Sequence, residues 1–136
     1  MYILCFAKNI ATEDLVIENC DIRNPETTKL IADYQPSIIF HLAAQAIVTE
    51  SYKNPRLTFE TNTLGTLNIL ESLKYVRKKC IVVIITSDKV YKNFEIKRGY
   101  SENDILGGHD PYSASKAAAE LIIESYIKSF YSKNKK

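Results

Sequence analysis

Two short runs, Ser37-Ile38-Ile39-Phe40-His41-Leu42 and Ile81-Val82-Val83-Ile84-Ile85, are almost unbroken in apolar character. A strand with one wet face alternates apolar and polar residues. A strand that stays apolar throughout belongs in a parallel sheet covered on both faces. Parallel neighbours need a long crossover between them, usually a helix. The intervening sequence supplies one. Asn54-Pro55 is a helix-start signal, and Leu57, Leu64, Leu67, Leu70 and Leu73 follow at helical spacing as far as Val76. Arg77-Lys78-Lys79 comes next, which favours the negative end of a helix dipole.

The same alternation runs through the rest of the chain. Leu15-Val16-Ile17-Glu18 reads as a short strand. Asn24 is a candidate N-cap before Pro25, with Leu30 and Ile31 as apolar contacts and Gln35-Pro36 as the stop. Tyr91 to His109 is a polar loop containing glycine, and Pro111 opens a helix to about Tyr131. The expected fold is α/β: a partial Rossmann-like parallel sheet with helices on both faces and right-handed crossovers, in one domain spanning residues 1–136. Residues 1–14 show no clear period, and Lys133-Asn134-Lys135-Lys136 reads as a frayed tail.

At 136 residues, 46% hydrophobic and 25% charged, the chain can bury a core and is ordinary for a globular protein. The net charge of +2 owes much to the lysine tail, so nucleic acid is not an expected partner. No apolar run is long enough to span a bilayer, and the start Met1-Tyr2-Ile3-Leu4-Cys5-Phe6 is a poor signal peptide. Cys5, Cys20 and Cys80 are odd in number and lack metal-ligand spacing. They read as small buried residues of a reducing cytoplasm. Two histidines without a cluster suggest no metal: His41 is expected in the core and His109 in the substrate loop.

The chemistry concentrates at strand ends and one helix start. Tyr112 and Lys116 are four apart on the helix opened by Pro111, so they share a face. An ammonium beside a phenol favours the phenolate. Upstream, the second apolar run ends in Thr86-Ser87-Asp88-Lys89, placing hydroxyl, carboxylate and amine at one strand tip. The first run ends in His41-Leu42-Ala43-Ala44-Gln45. A Tyr-x-x-x-Lys spacing alone is more often a surface stripe than a site. Its order after these strand ends gives it weight, because ligands of parallel sheets bind outside the carboxyl ends of strands.

With Asp21-Ile22-Arg23, Ser51-Tyr52, Pro55, Asn62-Thr63-Leu64-Gly65-Thr66 and Gly107-Gly108-His109-Asp110, these motifs resemble the extended short-chain dehydrogenase/reductase superfamily from about Cys20 to Tyr131. The resemblance is closest to nucleotide-sugar 4,6-dehydratases, with Ser-Asp-Lys at the tip as in those acting on CDP-glucose. UDP-N-acetylglucosamine and dTDP-glucose enzymes are the alternatives. The resemblance implies NAD as cofactor and a redox-neutral dehydration. Tyr112 would take the 4-hydroxyl proton, Lys116 would lower the Tyr112 pKa and hold the nicotinamide ribose, and Ser87 would bond the 4-oxygen. Lys89 would remove the C5 proton, aided by burial, and Asp88 would protonate the departing 6-hydroxyl. Asp21 and Ile22, with the backbone of Leu42, Ala43 and Ala44, would line the dinucleotide. Asn62 and Thr86 would support the site.

Family members begin with a strand and a Gly-rich turn, and they carry a substrate domain after the catalytic helix. The four glycines here, Gly65, Gly99, Gly107 and Gly108, do not form that turn. Three expectations follow: a truncated dehydratase, inactive alone; a non-catalytic remnant; or a fragment that works with a complementing chain. The helices of residues 55–76 and 111–131 are also candidate homodimer faces, through Leu64, Leu67, Leu70, Leu121 and Ile122.

Overall fold

The computed structural model describes residues 3–7 and 15–132, with side chains from residue 16 onward. Strand β1 (Ile3–Ala7) precedes β2 (Leu15–Asn19), helix α1 (Glu26–Tyr34), strand β3 (Ile38–His41) and helix α2 (Val48–Lys53). A long composite helix follows. Its parts are α3 (Pro55–Phe59), a π-helical turn (Glu60–Leu64), α4 (Gly65–Ser72) and a 3-10 turn (Leu73–Tyr75). Strand β4 (Ile81–Ile84), a 3-10 turn (Asp88–Val90) and helix α5 (Pro111–Tyr126) with a π-helical end (Ile127–Tyr131) complete the order.

The two apolar runs pair in parallel, with Ile38 opposite Ile81 and His41 opposite Ile84. The composite helix is their crossover, as the spacing predicts. The first strand departs from expectation. β2 joins β1 in an antiparallel pair, from Ile3 opposite Asn19 to Ala7 opposite Leu15, and not the parallel sheet. Antiparallel neighbours need only a short connection, and the apolar run Ile3 to Ala7 provides the nearby edge. Helices also cover only one face of the β3–β4 sheet among the described residues. On the other face Phe40 and Leu42 are 64% and 66% exposed.

The crossover helix buries a face that shares only Leu70 with the leucine stripe. Thr58, Thr61, Asn62, Gly65, Thr66, Ile69, Leu70 and Ser72 are buried, while Leu64 is exposed. α5 matches it with Ser113, Ser115, Ala117 and Ala119. Small side chains let the two helix backbones approach closely, and each buried hydroxyl needs a partner. Thr63 Oγ1 donates to the Ser115 carbonyl at 2.9 Å, and Ser72 Oγ to Ile69 at 2.5 Å. Of the expected dimer contacts, Leu64 and Leu121 are exposed but Leu70 is core. At Gly65 an added Cβ would lie 2.5 Å from Ile22 Cδ1, so glycine sets how closely this helix meets the turn after β2.

The helix starts follow their caps with small shifts. α1 begins at Glu26, one residue after Pro25, and Asn24 Oδ1 accepts from the Glu26 N–H at 3.0 Å. Gln35 ends α1 in the left-handed region at φ 48°. Asn54 does not cap with its side chain, which bonds back to Glu50; its carbonyl accepts from the Thr58 N–H instead. α5 has a complete cap. Asp110 Oδ1 accepts from the Ser113 N–H at 2.9 Å and Oδ2 from the Ser113 hydroxyl at 2.6 Å. Residues 133–136 of the tail lie outside the described residues.

Candidate active site

Asn62 stands at the centre of the buried polar network. Its Oδ1 accepts from the Gln45 N–H at 2.8 Å, and its Nδ2 donates to the Gln45 carbonyl at 3.0 Å and to Ser115 Oγ at 2.9 Å. Ser115 Oγ in turn donates to the Tyr112 carbonyl at 2.7 Å. The end of β3 is thereby tied through the crossover helix to the first turn of α5. The π-helical turn lies at Asn62, and such turns recur at functional sites. Gln45 Nε2 donates to Thr58 Oγ1 at 2.9 Å, and Gln45 Oε1 accepts from the Ile47 N–H at 2.7 Å.

His41 is the core histidine the sequence suggests. Thr66 Oγ1 donates to the Asn62 carbonyl at 2.8 Å, so it is left to accept from His41 Nε2 at 2.9 Å. That assigns the proton to Nε2 of a neutral ring. Burial, reinforced by the Lys116 charge, lowers the His41 pKa to about 4.

Lys116 is buried, and its Nζ donates to the Ile85 carbonyl at 3.1 Å, next to the tip of β4. Burial pulls its pKa below the ordinary lysine value, and the Glu120 carboxylate one turn on pushes it back up. Thr86 Oγ1 donates to Glu120 Oε1 at 2.5 Å. Two consecutive residues of the strand end, Ile85 and Thr86, are thus pinned to α5 by Lys116 and Glu120. Tyr112 is buried on the same helix.

Beyond the pins, Ser87 caps the 3-10 turn. Its Oγ accepts from the Lys89 N–H at 3.2 Å and bonds Asp88 Oδ1 at 3.2 Å. Asp88 and Lys89 open into a cleft of about 570 Å³ shared with Tyr91, Tyr100, His109 and Ser113. Ser87, Tyr112 and Lys116 do not form its wall. Lys89 is exposed, so the burial expected for it is not present. The loop closing the cleft is fastened at its root: the Gly107 N–H donates to the Val90 carbonyl and the Lys92 N–H to the Ile105 carbonyl, both at 2.8 Å. Tyr91 and Tyr100 stack at 5.5 Å, and Arg98 grips Asp104 with two hydrogen bonds. Gly108 is required where the loop meets α5, because an added Cβ would lie 2.5 Å from the Ser113 carbonyl carbon.

The expected dinucleotide residues divide. Ala43 and Ala44 are half-buried and Leu42 is exposed at the end of β3. Asp21 is also at a strand end, but both its oxygens are held by Arg23, which lowers its pKa. The Ile22 side chain is fully buried against Gly65 and its carbonyl accepts from Asn68 Nδ2 at 2.8 Å, so the side chain packs the core beside Asp21. Gln45, Ser115 and Glu120 were not singled out by sequence reasoning. Their signal was present only as polar residues beside motif positions. Among the described residues no His, Cys, Asp or Glu group could hold a metal, and no helix is long and apolar enough to cross a membrane.

Comparison with known proteins gives a consistent result. CDP-glucose 4,6-dehydratase of Salmonella typhimurium is 47% identical over 112 residues, covering 82% of this chain and 31% of that protein. CDP-paratose 2-epimerase of Salmonella typhi is 36% identical, covering 81% of this chain and 37% of its own length. The chain therefore spans well under half the length of these relatives. Among solved structures, UDP-glucose 4-epimerase from Thermotoga maritima with UDP-glucose superposes with a TM-score of 0.76 at 25% identity, over 88% of this chain and 39% of that one. The Thermus thermophilus UDP-glucose 4-epimerase complex with NAD gives 0.69 at 34% identity, over 82% and 36%. The sequence model of the GDP-mannose 4,6 dehydratase family matches residues 6–133. The Rossmann-like fold agrees with these matches: the chain belongs to the GDP-mannose 4,6 dehydratase family, within the extended short-chain dehydrogenases/reductases.

Proposed function

We propose that this chain carries the catalytic half-site of an NAD-dependent nucleotide-sugar 4,6-dehydratase, a lyase, with CDP-glucose as its sugar nucleotide. The observation that carries this reading is the double pin of α5 onto the end of β4, through Lys116–Ile85 and Glu120–Thr86, immediately before Ser87-Asp88-Lys89. It holds the helix bearing Tyr112 against the residues that would handle the sugar.

The donor set fits the ends of a dinucleotide. Lys116 supplies a cation for a ribose hydroxyl, the small residues Ala43 and Ala44 leave room at the end of β3, and Asp21 reaches a base amino group by exchanging one of the hydrogen bonds that Arg23 makes to its two oxygens. Held by these residues, NAD would supply a reversible hydride acceptor for oxidation at sugar C4 and reduction at C6. Tyr112 takes the proton of the 4-hydroxyl, one helical turn before Lys116. Ser87 donates to the 4-oxygen. The resulting ketone acidifies the C5 proton, which Lys89 removes once substrate desolvates it in the cleft. Asp88 protonates the leaving 6-hydroxyl. Asn62 holds the backbone of Gln45 and, through Ser115, the first turn of α5. The free Cys20 and Cys80 fit a reducing cytoplasm. The exposed Leu64 and Leu121 are the residues through which the helices of residues 55–76 and 111–131 would pair with a second copy.

The test is formation of a 4-keto-6-deoxy product from CDP-glucose by the chain supplied with the rest of the family fold. Tyr112→Phe should reduce turnover by about 10²-fold or more, the scale of a lost acid–base group. Unchanged turnover would remove Tyr112 from its role.

A further inference from the structure

The loop between the 3-10 turn of Asp88–Val90 and α5 is organised around one side chain. Asn93 Oδ1 accepts from the Glu95 N–H at 2.9 Å and from the Tyr100 hydroxyl at 3.0 Å. Tyr100 Oη in turn accepts from the Phe94 N–H at 2.7 Å. The directions are fixed: a backbone N–H identifies Oδ1 as the amide oxygen, so the Tyr100 hydroxyl gives it its hydrogen. Glu95 stands at φ 53°, in the left-handed region that residues other than glycine adopt at a cost, and the Asn93 bond holds it there. The Tyr100 ring is stacked on Tyr91, with centroids 5.5 Å apart and planes within 11°.

With both of these bonds made by Oδ1, Asn93 Nδ2 is a donor without a partner among the described residues. Asn93, Tyr91 and Tyr100 line the same cleft as Asp88 and Lys89. Other polar side chains of that wall are not poised in this way. Ser113 and Asp110 bond each other, and His109 is exposed with no hydrogen bond to anchor it among the described residues. The loop thus sets an amide donor beside a pair of stacked rings before any ligand arrives. A hexose matches that combination, because its C–H groups rest on an aromatic face and its hydroxyl oxygens accept from an amide. In the dehydration the 4-hydroxyl belongs to Ser87 and Tyr112 and the 6-hydroxyl to Asp88, which leaves the 2- and 3-hydroxyls to be recognised. We propose that Asn93 is a specificity-determining residue whose Nδ2 donates to the 2- or 3-hydroxyl of the glucosyl group, with Tyr100 as the positioning residue that fixes it. This rests on the dehydratase reading and adds to it a residue for the part of the sugar that does not react.

The test is a binding cycle on the chain itself, followed by NMR, with CDP-glucose and its 2-deoxy and 3-deoxy analogues as probes. CDP-glucose should shift the Asn93 side-chain amide saturably. Asn93→Ser keeps a hydroxyl that can reach the Glu95 N–H, with unmoved Tyr100 ring resonances as the sign that the loop is retained. It should weaken CDP-glucose binding about fivefold, the scale of one neutral hydrogen bond. The same substitution should leave unchanged the affinity for whichever analogue lacks the contacted hydroxyl. Tyr100→Phe keeps the ring stack and all of Asn93, and should show a smaller loss with the same dependence on that hydroxyl. Equal losses for all three ligands in both variants would make Asn93 a structural residue of the loop and overturn the proposal. So would an unshifted Asn93 amide, or no saturable binding by the folded chain. Dependence on one hydroxyl without a 4-keto product, in the chain supplied with the rest of the family fold, would keep Asn93 and count against the dehydratase reading. Product formation without that dependence would keep the dehydratase reading and remove Asn93.

Discussion

Asn62 makes three hydrogen bonds from a site that is 1% exposed, so its replacement strands partners on two elements. Asn62→Leu leaves the Gln45 N–H without its acceptor and should cost about 3 kcal/mol or more, read by urea unfolding. Asn62→Asp keeps that acceptor but loses both donations, and should also destabilise. His41 gives a pH-dependent counterpart. Its folded pKa of about 4 lies below the ordinary histidine value of 6.5, so the unfolded chain binds more protons between those values. The stability it contributes is complete above about pH 6.5 and falls as pH drops toward 4, by about 3 kcal/mol in all. Urea midpoints measured across that window should decline with acidity, and His41→Gln should flatten the decline. Sequence reasoning placed His41 in the core and named Asn62. It gave Gln45, Thr66 and Ser115 no role of their own, because buried hydroxyls and amides at helical spacing resemble a solvated face until their partners are known.

At the scale of elements, α5 and β4 are joined by charge as well as packing. Glu120 raises the Lys116 pKa while accepting from Thr86. Glu120→Gln retains an acceptor for Thr86 and removes the charge. The Lys116 titration midpoint, followed by NMR of labelled lysine side chains, should fall in that variant and move less in Thr86→Val. At the other end of α5, Asp110→Ala removes two capping bonds and should cost about 1 kcal/mol by urea unfolding. Pro111, the Tyr112–Lys116 spacing and the apolar run to Ile85 made this pairing readable in advance. The crossover helix was readable in extent but not in orientation. Its leucines fit the helical period, yet Thr58, Thr61, Gly65 and Thr66 face inward, because close backbone approach selects small residues over large ones.

For the whole molecule, the parallel β3–β4 core follows from two continuous apolar runs, whereas the antiparallel partner of β2 had no periodic signal in Ile3 to Ala7. The sequence pattern also promised helices on both sheet faces, because an apolar strand records what its complete fold buries and not which segment provides the cover. The central claim is that Ser87, Asp88, Lys89, Tyr112 and Lys116 form the catalytic side of a dehydratase site. The most direct measurement is 4-keto product formation from CDP-glucose and NAD+ by the lone chain, by the chain with its complementing segment, and by the complemented Tyr112→Phe variant. The account predicts negligible turnover from the first, turnover from the second, and its loss in the third. Robust turnover by the lone chain, or undiminished turnover by the complemented Tyr112→Phe variant, would contradict it.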